Sequence, residues 1–239
     1  MKQFIPILLL LIFAPKLIAA PNVQQMFNDI EPQVIKWLHH LHQNPELSNR
    51  EFEQAQYVTK HLKSLGLEVQ TGVAITGVVA ILDSGKPGPV VALRADMDGL
   101  PVLEKNNLLW KSTKRGELEG NDVPVMHACG HDGHTSMLLG AAQELAAHGD
   151  FDGTVYFVFQ PDEEHGAGAQ AMIDDGLFER FPMQAIYGLH NMPGLAAGHM
   201  SMNSGGVMAS EDNFKIVVKG RGGPVSYTQL RAHEPVLDT

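Results

Sequence analysis

The chain has a single cysteine, Cys129, so no internal disulfide can staple it. A lone thiol in an exported chain is unusual, and metal ligation is a use that would explain it. Basic residues are scarce as well: 17 Lys and Arg stand against 27 Asp and Glu, for a net charge of −10. That balance argues against the phosphate-binding surface a nucleic-acid partner needs. Internal repeats and low-complexity runs are missing. Long apolar runs are missing too, apart from residues 5–13, which fall short of the ~20 residues of a membrane span. Pro6 interrupts that run, and Pro15 and Lys16 follow it. With Lys2 ahead and Ile18-Ala19-Ala20 behind, it has the layout of a secretory signal peptide over residues 1–20. The expectation is a secreted or periplasmic protein with no membrane association after cleavage near Ala20.

The rest of the chain alternates between two periodicities. Phe27, Ile30, Val34, Trp37, Leu38 and Leu41 recur at helical spacing and stop before Asn44-Pro45. A second helix carries Phe52, Ala55, Val58, Leu62 and Leu65, with Gly66 placed to end it. Strand-like runs occupy 77–82, 90–94, 154–159 and 185–189, the middle two nearly continuously apolar, as in strands covered on both faces. Helices are expected at about 133–147 and 167–174. This order predicts an α/β sheet sandwiched between helices. A later strand at 214–219, following Gly205-Gly206, is expected to open a second domain, and His199 is expected on a strand surface.

Polar groups gather where these strands end, the place where open α/β sheets bind ligands. The run at 90–94 leads into Asp96-Met97-Asp98, and the run at 154–159 leads into Gln160-Pro161-Asp162-Glu163-Glu164. The run at 185–189 leads into His190-Asn191, while His127-Ala128-Cys129-Gly130-His131-Asp132-Gly133-His134 feeds a helix N-terminus. A thiolate, two imidazoles and a carboxylate suit a divalent transition metal. Two such ions ~3.5–4 Å apart would clamp an attacking hydroxide and a carbonyl oxygen. Adjacent carboxylates in extended chain point opposite ways, so one of Glu163-Glu164 can bind metal while the other handles a proton. A nucleophilic Cys129 with His131 or His134 as base is the competing scheme, but it leaves the Glu pair and His190 without work. Asp96 and Asp98 read either as turn residues or as groups orienting a ligating imidazole. His134 has no assigned role. His39, His40 and His42 read as helix-terminal residues far from the strand tips, compensating the helix dipole.

Five segments carry a resemblance to the M20 family of metal-dependent amidohydrolases. They are residues 41–48 (Leu-His-Gln-Asn-Pro-Glu-Leu-Ser), 93–101 (Leu-Arg-Ala-Asp-Met-Asp-Gly-Leu-Pro), 126–134, 159–164 and 188–191. The similarity runs from about Val23 to Gly223, and the subgroup it resembles holds hippurate hydrolase and the indole-acetyl-amino-acid hydrolases. The resemblance implies that Cys129, His131, Glu164 and His190 are metal ligands and that Glu163 is the general base. It also implies a zinc-exopeptidase-like catalytic domain over 21–208 and the start of an inserted α+β lid and dimerisation domain over 209–223. The cofactor implied is a divalent metal, in the form of two Zn, Mn or Ni ions. The substrate implied is a small N-acyl amino acid, and a full-length version is expected to be a homodimer. A dipeptidase or carboxypeptidase using the same site, or a metal-binding fragment without catalysis, are the alternative expectations. His165 stands where the family has glycine. After Gly220-Arg221-Gly222-Gly223 the pattern departs: the family's lid histidine and late histidine ligand have no counterpart, and His233 has no matching context. Residues 224–239 are read as an unrelated tail at a truncated end.

Overall fold

The computed structural model describes residues 22–209 together with 214, 216 and 217. The expected signal peptide, most of the expected lid segment and the tail at 224–239 lie outside the described residues. So do residues 215, 218 and 219 of the strand expected at 214–219, whose described residues Phe214, Ile216 and Val217 are exposed.

Two helices open the fold. α1 (Val23–Gln43) is capped by Asn22, whose side chain accepts from the Gln24 and Gln25 amides, and it buries Ile30, Trp37 and Leu41. α2 (Phe52–Ser64) buries Val58 and Leu62, and Gly66 leaves it at φ +81°. Phe27 and Phe52, expected on the buried stripes, lie instead at their exposed edges.

The strands follow: β1 (Glu68–Val73), β2 (Gly77–Asp83), β3 (Val90–Asp96), β6 (Thr154–Gln160) and β7 (Ala185–Gly188) form one sheet in the order β1-β2-β6-β3-β7. A separate hairpin pairs β4 (Arg115–Leu118) with β5 (Asn121–Pro124). The main sheet is mixed, because β1 and β2 run antiparallel to their neighbours while β6, β3 and β7 are parallel.

Helices cover both faces. On one, Ile30, Trp37, Val58, Leu62, Leu138, Leu139 and Ala142 pack on Val78, Ala80, Ala95, Phe157 and Phe159. On the other, Met172 of α4 (Gly168–Asp174) and Leu177 of α5 (Leu177–Arg180) pack with Phe181 on Val79, Ala92 and Val158. Alternate residues of β2 and β6 thus enter opposite cores, which is why polar residues are confined to the strand ends, apart from the Tyr156 hydroxyl. The third long helix, α3 (His131–His148), lies against α1 and β3. Beyond Leu195 the chain forms a second unit, whose described residues 196–209 are exposed and carry no helix or strand. His199 therefore lies in irregular chain rather than on the expected strand. No helix among the described residues is long and apolar enough to cross a membrane.

Candidate metal centre

Parallel register brings the strand ends together. Asp96 lies beside Gln160, and Arg94 beside Gly188, so the segments after β3, β6 and β7 leave the sheet at one edge. The start of α3 meets them there. Gly130 precedes the helix at φ +91°, a left-handed turn that favours glycine, and it separates Cys129 from His131.

Three of the expected ligands meet around one point. One ligand atom each from Cys129, His131 and Glu164 lies within 4.8 Å of the others. The fourth, His190, places its Nε2 3.5 Å from Cys129 Sγ. Glu163 Oε2 and Glu164 Oε1 stand 3.7 and 3.8 Å from His131 Nε2.

The hydrogen bonds decide which nitrogens are available. His131 Nδ1 donates to the Asp98 carbonyl (2.9 Å) and to its Oδ1 (3.1 Å), so Nε2 is the nitrogen turned to the centre. His190 Nδ1 lies 2.6 Å from the Asn191 carbonyl, which likewise turns Nε2 toward the centre. His134 is different: Nδ1 meets Asp96 Oδ1 at 2.6 Å and Nε2 meets Asn191 Oδ1 at 2.7 Å. Asp96, His131, His134 and His190 also offer ligand atoms within 4.8 Å of one another. In that group both His134 nitrogens are engaged, and Asp96 is held by Arg94 at 2.6 Å as well as by His134. The two aspartates thus face different imidazoles, Asp98 toward His131 and Asp96 toward His134.

The site's electrostatics fit a cation. His131 Nε2 and Glu164 Oε1 are buried without a hydrogen-bond partner among the described residues, a costly arrangement for atoms of this kind. Burial, then the Glu164, Glu163 and Asp96 carboxylates, pushes the Cys129 thiol up to about 12. Burial likewise raises Glu164. Asp96 and Asp98 are lowered despite burial, because His134 and Arg94 hold the first while His131, Ser48 and the Glu164 amide hold the second. A divalent cation among Cys129, His131, Glu164 and His190 would satisfy both orphaned atoms and reverse the pressure on the thiol.

The centre reaches further than sequence reasoning placed it. His42, expected far from the strand tips, puts Nδ1 2.8 Å from Asp132 Oδ2, directly beside His131, and Nε2 3.0 Å from Glu104 Oε1. The long α1 runs antiparallel enough to α3 for its last turn to land on the first turn of α3, a contact no local pattern announces. His39 and His40 stack on Trp110 and Tyr57 with centroids 4.0 and 4.1 Å apart. Ser48 donates to Asp98 Oδ2 at 2.6 Å, and His165 lies at the exposed margin, 3.2 Å from Asp162 Oδ1.

Known proteins resemble this chain in sequence and in fold. A family model described as Peptidase family M20/M25/M40 matches residues 92–238, more than half of the chain. Hippurate hydrolase of Campylobacter jejuni is 43% identical over 208 residues, which cover 87% of this chain and 52% of that protein. N-acetyl-L-cysteine deacetylase of Bacillus subtilis is 42% identical over 194 residues, covering 81% of this chain and 44% of the relative. Among solved structures, a dinuclear metal-binding peptidase of the M20 family from Bacillus subtilis superposes with a TM-score of 0.63 at 36% identity, over 70% of this chain and 45% of that one. The chain therefore spans about half the length of the curated relatives it matches. On the family match and the shared fold, this chain belongs to peptidase family M20/M25/M40.

Proposed function

We propose that the whole protein is a metal-dependent amidohydrolase that cleaves the amide bond of N-acyl amino acids. In this reading Cys129, His131, Glu164 and His190 hold the metal, in the form of two divalent ions, and Glu163 is the general base. One observation carries it: the orphaned His131 Nε2 and Glu164 Oε1 converge with Cys129 Sγ at the carboxyl edge of a parallel strand set. The hippurate hydrolase and the deacetylase among the relatives support an acylated amino acid as substrate.

When bound, divalent ions supply Lewis acidity to an amide carbonyl and acidify water. The side chains do the rest. Glu163 is half-exposed at the rim, close enough to the His131 ring to take a proton from the attacking water and return it to the leaving amine. Asp98 fixes the His131 tautomer, and Asp96 with Asn191 fixes His134. Export through the segment at 1–20 belongs to the same proposal, supported by Lys2, the apolar residues 5–13 and Ala19-Ala20.

The test uses full-length protein with N-benzoyl and N-acetyl amino acids. Chelation should abolish hydrolysis and a divalent metal should restore it. Glu163→Gln should keep bound metal while kcat falls about 10²–10⁴-fold. Unchanged turnover in that variant would remove Glu163 from the mechanism.

A further inference from the structure

Glu51 is fully buried, yet no step of the proposed chemistry uses it. It sits at the N-cap position of α2 but makes no side-chain cap to that helix. Both carboxylate oxygens are turned elsewhere. Oε2 accepts from Thr76 Oγ1 at 2.6 Å, and Oε1 accepts from the Asp162 amide at 2.9 Å. Burial pushes its carboxyl up, and the nearby Asp98 charge adds to that. Packing alone would be served better by an apolar side chain of similar size.

The N–H it holds is that of Asp162, the residue immediately ahead of Glu163. Asp162 has φ +55°, a left-handed conformation unusual for a non-glycine residue. On the other side of Glu163, the Glu164 amide donates to Asp98 Oδ2 at 2.9 Å. The two N–H groups bracketing Glu163 thus both end on buried carboxylates, Glu51 before it and Asp98 after it. Asp98 is held in turn by Ser48, three residues from Glu51 on the same segment. Through Glu51 directly and through Ser48 on Asp98, one stretch of chain between α1 and α2 therefore supports the 161–162 and 163–164 peptide units, the second of which joins Glu163 to Glu164.

We propose that Glu51 is a positioning residue for the candidate metal centre, pinning the amide of Asp162 so that Glu164 faces His131 and Glu163 faces the rim. The inference rests on the reading of Glu164 as a metal ligand. Glu51 does not touch the metal; it acts through the backbone of residues 162–164.

The test titrates the 239-residue chain with Co²⁺, following binding by absorbance and metal-free stability by thermal melting. Glu51→Leu should weaken Co²⁺ binding about tenfold or more, as loss of an outer supporting partner does. Glu51→Gln should bind close to wild type, because its oxygen can accept from Asp162 while its amide donates to the Thr76 hydroxyl. Thr76→Val, which removes the other hydrogen bond of Glu51, should lower the melting temperature and leave Co²⁺ affinity unchanged. Wild-type affinity in Glu51→Leu overturns the proposal, and so does an equal affinity loss in Thr76→Val, which would mark general destabilisation. If Glu51→Leu does not fold, Glu51→Asp replaces it, with a side chain too short for both partners. Amide hydrogen exchange over 162–165 of the metal-free protein then decides: faster exchange supports the pin, and unchanged exchange overturns it. Cys129→Ser and Glu164→Gln separate the two ideas. If neither weakens Co²⁺ binding, the metal-centre reading fails, and the exchange experiment still decides what Glu51 holds.

Discussion

His42 stands with both ring nitrogens on buried carboxylates, Asp132 and Glu104, so both nitrogens act as donors and the ring is held as a cation. The Asp132 hydrogen bond leads the causes that raise it to about 9 against the opposing effect of burial. The direction of the resulting pH dependence follows from linkage. A group whose folded pKa lies above its unfolded value adds stability below the unfolded value, and that contribution is lost as pH rises through the folded one. His42 should therefore stabilise the fold fully below about pH 6.5 and progressively less toward pH 9. Replacing it by a neutral amide removes the cation between two buried carboxylates, so His42→Gln should lower the melting temperature by about 5 °C or more at pH 6. The gap between wild type and variant should narrow as pH rises toward 9.5. A gap that stays constant across that range would show that the contact works through packing rather than charge.

At the scale of elements, the turn into α3 places a steric demand on the centre itself. A Cβ on Gly130 would lie 2.6 Å from Asn191 Oδ1 and 2.9 Å from its Cγ, while the backbone sits at φ +91°. Gly130→Ala must therefore strain the turn and also displace Asn191, which holds His134. The variant should melt lower and bind divalent metal about tenfold more weakly, since Cys129 and His131 flank the strained residue. Titration of the variant with Zn²⁺ or Co²⁺ checks this, and wild-type affinity would show that the turn tolerates a side chain. The elements themselves were legible wherever burial imposed a pattern. β3 and β6 read as nearly continuous apolar runs because both faces are covered, and α1 and α2 read from their stripes. β1 did not read, because Glu68–Val73 lies at the edge of the sheet and fully buries only Val73. The β4–β5 hairpin did not read either: its partner strands are short and polar, and its turn sets Glu119 and Gly120 at φ 51° and 79°. Such strands are specified by their neighbours rather than by local alternation.

Across the whole molecule, the candidate centre joins segments that share only the sheet edge. Its residue types were legible because each cluster followed a strand or preceded a helix, and chemistry-bearing side chains at those places converge in an α/β fold. The supporting contacts were not legible: His42 reaches Asp132 across 90 residues, and Glu51 reaches the Asp162 amide across 111. No spacing rule encodes such pairs. The same wide spacing has a thermodynamic consequence. Cys129, His131, Glu164 and His190 come together only in the folded chain, so a metal held by them binds the native state and not the unfolded one. Binding of that kind stabilises by about 2.7 kcal/mol at a free-metal concentration of 100 times Kd. For a chain of this size about 2–4 °C accompanies each kcal/mol, so saturating Zn²⁺ or Mn²⁺ should raise the melting temperature by about 5–10 °C. A chelator should reverse the rise, and Cys129→Ser should shrink it at equal metal concentration. A melting temperature indifferent to metal would mean that the four side chains are near one another without acting together, and the metal-centre reading would fall with it.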